Sequence, residues 1–109
     1  MDWSFKQSGD IFETKTDCTV IDGRKSYLGV AHLILFQRDN LRFWFARINL
    51  SSDIPPDLPK DKKIKLQFPD GTFGWCYNAS HSQYDLSMTD QQVLLDVVGI
   101  GEMFPKPVH

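Results

Sequence analysis

The sequence predicts a mostly β domain, either a small six-stranded antiparallel barrel or a two-layer sandwich, and three observations carry that prediction. Apolar and polar residues alternate with period two over several segments, as strands with one buried face require. Turn-forming clusters punctuate those segments: Asp22-Gly23, Arg38-Asp39-Asn40 and Pro69-Asp70-Gly71-Thr72. Aromatic and β-branched residues are abundant, and their densest run, Leu41-Arg42-Phe43-Trp44-Phe45-Ala46-Arg47-Ile48-Asn49-Leu50, lies near the middle of the chain. An α+β alternative, with a short helix around 90–98, stays open.

The first strand is expected from Ile11 to Ile21, with Phe12, Thr14, Thr16, Cys18 and Val20 on one face and Glu13, Lys15, Asp17 and Thr19 on the other. Asp22-Gly23 tolerates positive φ and ends it. Tyr27 to Gln37 is an almost continuous apolar run, expected as a strand buried on both faces. Arg38-Asp39-Asn40 then turns the chain into the aromatic run and makes residues 27–50 a hairpin. In that run Leu41, Phe43 and Phe45 share one face, expected to be core, and Arg42, Trp44 and Ala46 share the other.

Three prolines keep 51–62 out of any sheet ladder, so this segment is expected as a stiff crossover loop. A second hairpin follows: Ile64, Leu66 and Phe68 alternate with Lys63, Lys65 and Gln67, Pro69-Asp70-Gly71-Thr72 turns, and Phe73, Trp75 and Tyr77 alternate with Gly74, Cys76 and Asn78. The aromatic trio is expected to pack on Phe43 and Phe45. Residues 79–90 read as a loop or short edge strand. Over 91–104, Thr89 with Gln92 and Gly99 outline a short helix, whereas Val93, Val97, Val98 and Ile100 favour a closing strand. The strand is the preferred reading, with Gly29, Gly74, Gly99 and Gly101 available for the bends of a closed sheet.

A length of 109 residues fits one domain, 1–109, with flexible ends expected at about 1–9 and 105–109. Hydrophobic residues at 41% and charged residues at 24% place the chain among globular proteins. Its net charge of −2 and pI near 5.8 disfavour broad polyanion binding, which leaves nucleic acid a possible but disfavoured partner. Asp2 and Lys6 interrupt the N-terminus and no later run reaches membrane-spanning length, so a soluble, cytoplasmic protein without membrane association is expected. Cys18 and Cys76 lack CxxC spacing and are expected as two buried thiols, with a single disulfide as the alternative. Asn49-Leu50-Ser51 and Asn78-Ala79-Ser80 fit the glycosylation pattern, a triplet common by chance.

No catalytic motif stands out. Cys76 and His81 are five residues apart across an expected strand end, with no visible activating base, and no Gly-x-Ser-x-Gly elbow is present. His32 lies in the apolar run, where a hydrogen-bonded core histidine is the simpler reading. Isolated histidines and dispersed aspartates, among them Asp53, Asp57, Asp61, Asp85 and Asp90, predict neither a metal site nor a cofactor. Arg38 and Arg42 have the Arg-x-x-x-Arg spacing of the cyclic-dinucleotide-binding PilZ barrels. The downstream Asp-x-Ser-x-x-Gly is not matched, because Asp96-Val97-Val98-Gly99-Ile100-Gly101 has Val98 where the serine belongs, so no family is assigned.

What remains is a surface. Arg42 and Trp44, with Arg38 beside them, form the candidate binding set, since an arginine next to an aromatic ring stacks on bases, sugars or protein side chains. If a second layer covers Trp44, it is core instead. The leading expectation is a non-enzymatic protein-binding module, such as an inhibitor, an immunity-type or adaptor protein, or an assembly component, with a homodimer possible. One rival is an OB-like barrel that binds single-stranded nucleic acid or a nucleotide through Arg42, Trp44, Lys60, Lys62, Lys63 and Lys65. The other is an enzyme assembled from distant loops around Cys76, His81 and Asp85.

Overall fold

A computed structural model describes residues 5–39, 41–51, 58–79, 85–86 and 91–104. Every regular element in it is a strand: β1 (Lys6–Ser8), β2 (Ile11–Asp22), β3 (Lys25–Arg38), β4 (Leu41–Leu50), β5 (Lys63–Gln67), β6 (Phe73–Asn78), β7 (Asp85–Leu86) and β8 (Gln91–Phe104). Six of them close into an antiparallel barrel in the order β2-β3-β4-β8-β6-β5, with β5 returning to β2. The barrel, rather than the sandwich, is thus the architecture, and 91–98 belongs to a strand rather than a helix. No helix among the described residues is long and apolar enough to cross a membrane.

The turns form where their residues permit positive φ. Gly23 (φ 60°) joins β2 to β3, Asp39 (φ 53°) sits between β3 and β4, and Gly71 (φ 90°) joins β5 to β6. In the last of these, the Phe68 amide donates to the Thr72 carbonyl at 2.8 Å and the Thr72 amide donates to Asp70 Oδ1 at 2.9 Å. At Gly101 (φ 68°) the β6–β8 register shifts, Trp75 pairing with Ile100 but Phe73 with Phe104, so β8 bulges there and the sheet bends.

Closure is uneven along β2. Its whole length pairs with β3, whereas its other edge pairs with β1 at residues 11–13 and with β5 at residues 19–21. Residues 6–8, which the sequence placed in a flexible end, therefore form an extra strand. Phe5 just before them packs edge-on against Phe12, ring centres 6.5 Å apart, and joins the margin of the core. The flexible end expected at 105–109 lies outside the described residues.

Two expectations about sidedness are corrected. β3 is not buried on both faces: Ala31 and Leu33 point into the lumen, while Leu28 and Val30 are 68% and 45% exposed. β4 is turned the other way from its expected orientation, with Trp44, Ala46, Ile48 and Leu50 inward and Phe43 and Phe45 outward. The physical reason is the width of the lumen. A six-stranded barrel is narrow, and β4 faces Gly99 across the β4–β8 pairing, where a Cβ would come within 2.3 Å of the Trp44 indole. Trp44 lies against that bare backbone. The remaining core holds the buried ring of Phe68 and, for the rest, mid-sized and small side chains, among them Leu33, Ile48, Ile64, Leu66, Leu95, Val20, Val97, Ala31, Ala46, Cys18 and Cys76, a fully buried branched aliphatic being worth about 1.5–3 kcal/mol. No room is left inside for the other aromatics of β4 and β6.

Leu58 closes one end of the barrel. It is buried, and its carbonyl accepts a 2.7 Å hydrogen bond from Asn78 Nδ2, which also donates to the Pro59 carbonyl at 3.3 Å. Asn78 is itself buried, so its place in a glycosylation triplet has no surface consequence in the folded chain. The prolines at 55 and 56 lie outside the described residues.

Candidate interaction face

The sidedness of β4 and β6 creates the most distinctive surface of the molecule. β5 fixes the inside by alternation: Ile64 and Leu66 are buried, so Lys63 and Lys65 face out. Antiparallel pairing then places Tyr77 opposite Lys63 and Trp75 opposite Lys65 on that outer face. The next strand continues the row, Trp75 pairing with Ile100 and Tyr77 with Val98. Val98 in turn pairs with Phe45 of β4, and Phe45 with Ile34 of β3.

The outcome is an outward apolar band across β6, β8 and β4. Its open members include Trp75 (42%), Ile100 (42%), Phe43 (42%) and Phe45 (39%), with Leu41 (57%) at the end of the β4 row. Phe43 stacks on Phe36 of β3, with ring centres 4.8 Å apart and planes 16° from parallel. Along the β5 margin the Lys63 ammonium lies 5.0 Å from the Trp75 ring centre and that of Lys65 lies 4.2 Å from the Phe73 ring centre. The band is bounded on another side by a polar row, Lys15, His32, Arg47 and Asp96, which are neighbours through the β2–β3, β3–β4 and β4–β8 registers. In that row Arg47 Nε and Nη2 donate to the two Asp96 oxygens at 2.8 and 3.2 Å, a forked ion pair that raises the Arg47 pKa through the hydrogen bond and the carboxylate charge. His32 Nε2 is 3.3 Å from Glu13 Oε2. This histidine, expected in the core, is on the outside, beside an open groove of about 560 Å³ that Phe5, Lys6, Thr14 and Lys15 also line.

The residues singled out by the sequence do not form one surface. Trp44 is 2% exposed and belongs to the lumen, so it is core and not a contact residue. Its Nε1 is buried without a hydrogen-bond partner among the described residues. Arg42 is exposed near the β3–β4 turn, opposite Gln37. Arg38 lies at the same turn, its Nε 3.8 Å from Asp10 Oδ2. Of the lysines in the nucleic-acid reading, Lys62 is held by Asp22 at 3.0 Å, while Lys63 and Lys65 join the aromatic band.

The Cys76, His81 and Asp85 set gains no support. Cys76 is in the lumen, and burial, with a smaller effect from Cys18, pushes its pKa up to about 12. His81 lies outside the described residues. Cys18 is likewise buried and raised to about 12, by desolvation first and the Asp17 charge second; both thiols are unpaired. No group of histidine, cysteine and carboxylate side chains suited to a metal ion occurs among the described residues.

The aromatic and lysine face was overlooked in the sequence although the signal was there. The Lys63/Lys65 alternation orients β5, and the Pro69-Asp70-Gly71-Thr72 turn fixes which β6 residues lie opposite, so Trp75 and Tyr77 had to share the lysine side. No protein-family model, curated protein or solved structure matches this chain.

Proposed function

We propose that this chain is a non-enzymatic protein-binding module, an inhibitor, immunity-type, adaptor or assembly component, that docks its partner on the outer face of β6, β8 and β4. The observation that supports this reading is the band of Trp75, Ile100, Phe43 and Phe45, four large apolar side chains exposed around two-fifths each on neighbouring strands. Contiguous exposed apolar area rimmed by polar groups marks interaction sites, and aromatic side chains dominate their energetics. A cytoplasmic setting belongs to the same proposal, since two unpaired buried thiols suit a reducing compartment.

The test compares proteins retained from the source cell's extract by the wild-type chain and by a Phe45→Ser/Trp75→Ser double variant whose fold is verified by circular dichroism. A defined partner held by the wild type and lost with the variant is expected. Equal retention by both, or retention by neither, overturns the reading.

A second reading is favoured by one observation, the lysine ammonium groups placed over Trp75 and Phe73, which resemble a stacking platform for single-stranded nucleic acid. It predicts oligonucleotide binding that falls steeply with added salt.

A further inference from the structure

Resting on the proposed binding role, we infer that the occupant of this face is an acidic, apolar segment of a partner protein, laid across β5, β6, β8 and β4 with its carboxylates on Lys63 and Lys65 and its apolar side chains on Trp75, Ile100 and Phe45.

Charge decides the chemistry of the occupant. In a chain of net charge −2, Lys63 and Lys65 make a local basic spot, and neither has a carboxylate partner among the described residues. Asp96, further along β8, is already gripped at two points by Arg47. Each lysine lies over an aromatic ring, which positions the ammonium while leaving N–H donors for an incoming anion. A carboxylate arriving there forms charge-assisted hydrogen bonds beside a surface that already excludes water on the ring side.

Geometry sets the length of the segment. From β5 to β4 the face crosses three interstrand steps, about 14 Å at the usual spacing of about 4.8 Å, a span of roughly four extended residues. Because side chains of an extended chain point the same way at every second residue, one acidic position followed at the second and fourth places by apolar ones meets the lysine, aromatic and aliphatic zones in turn.

Other occupants fit less well. A second copy of the same face brings its own Lys63 and Lys65, and its Asp96 is already held by Arg47, so those charges are not self-complementary as a two-fold interface requires. For nucleic acid, the band is too aliphatic at Ile100 and Val98, which interrupt the rings on which successive bases would stack.

The experiment selects peptides from a random display library on the wild-type chain, then measures a synthetic version of the enriched sequence by fluorescence anisotropy and amide chemical-shift mapping. Enrichment of Asp or Glu two to four residues from aromatic or aliphatic positions is expected, with shifts at Lys63, Lys65, the Trp75 indole and Phe45. The affinity should drop by about 10-fold or more in a Lys63→Glu/Lys65→Glu variant, and the difference should shrink as salt is added. Selected peptides without acidic bias, still mapping to Trp75 and Phe45, overturn the acidic occupant and leave the binding role standing. Shifts confined to other surfaces, or no enrichment, overturn both. Sedimentation showing a dimer buried on this face, or an oligonucleotide that moves the same signals, assigns a different occupant and also overturns the inference.

Discussion

Replacing Gly99 with alanine adds a single methyl group at the point where the barrel has least room. A Cβ there lies 2.3 Å from both Cε2 and Nε1 of Trp44 and 2.6 Å from Cδ1. Carbon atoms in contact need about 3.5–4.0 Å, so the indole or the β8 backbone must move by more than 1 Å. The indole cannot swing outward, because Trp44 is 2% exposed and enclosed by the other lumen side chains. Overpacking of this kind costs typically ~1–3 kcal/mol, and a rigid ring against backbone belongs at the upper end, so Gly99→Ala should destabilise by about 3 kcal/mol. Urea denaturation followed by circular dichroism measures it. Trp44→Leu alone also destabilises, by about 2–4 kcal/mol, through lost packing. In the Trp44→Leu background, however, the methyl group has space, and Gly99→Ala should cost under about 1 kcal/mol, giving a coupling of about 2 kcal/mol in the double-mutant cycle. A cost of Gly99→Ala that is the same in both backgrounds, or a negligible one in the wild type, would refute the account of why Trp44 points inward.

Three further outcomes follow from particular contacts. Asn78→Ala should destabilise by about 2 kcal/mol, because the Leu58 carbonyl loses this donor at a buried site, while the Pro59 carbonyl keeps the Lys62 amide; a midpoint unchanged in urea would contradict that role. The cysteines set an alkaline limit. Both are raised from an ordinary 9.0 to about 12, so below pH 9 folded and unfolded thiols are equally protonated and their contribution is intact. Between pH 9 and 12 the unfolded chain loses its thiol protons while the folded chain keeps them, and stability falls by up to roughly 1.4 kcal/mol per pH unit for each thiol. A Cys18→Ala/Cys76→Ala variant should lack that part of the decline, and native thiols should resist alkylation at pH 8 yet react at once in denaturant. Arg47→Ala should change stability by less than about 1 kcal/mol, since the forked pair with Asp96 is surface-exposed; a larger loss in thermal melts would show that it pins the β4–β8 register.

How far the sequence reveals this fold depends on which strand is considered. β2 and β5 were legible with their orientation, because each alternates apolar residues with charged or hydroxyl ones and only one face can be buried. The β5–β6 hairpin was legible for the same reason together with its turn. The length of β8 was visible only as a contest between β-branched residues and helix-like capping, which the β4 and β6 pairings settle. Sidedness failed at β4 and β6. Both carry large apolar groups on one face and a mixture on the other, and hydrophobicity alone assigns the larger total to the core. What decides is volume: Ala46 and Trp44 fit a narrow lumen opposite Gly99, whereas Phe43 and Phe45 on successive outward positions have nothing inside to yield to them. Such compensation between residues of β4 and β8, about fifty positions apart, is invisible until the strands are paired.

That failure bears directly on function. Once the lumen is filled by Leu58, Trp44 and the small and branched residues, every further aromatic of β4 and β6 is surplus to the core. Evolution of a barrel for stability alone has no use for Phe43, Phe45 and Trp75 on the outside, where threonine or lysine would serve the same strands and lessen the risk of association. Their placement on β4 and β6, on either side of Ile100 and Val98 of β8 and next to lysines with no internal counter-charge among the described residues, is therefore a cost to solubility that the proposed partner would offset. The same reasoning separates the outer face from Leu28 and Val30, which are exposed on β3 and reached from β5 through β2, on the side away from β6 and β8. Leu28→Thr should leave partner binding within about twofold of wild type, while Phe45→Ser should abolish it; comparable losses from both would spread the contact over the whole outer surface and dissolve the case for a defined face.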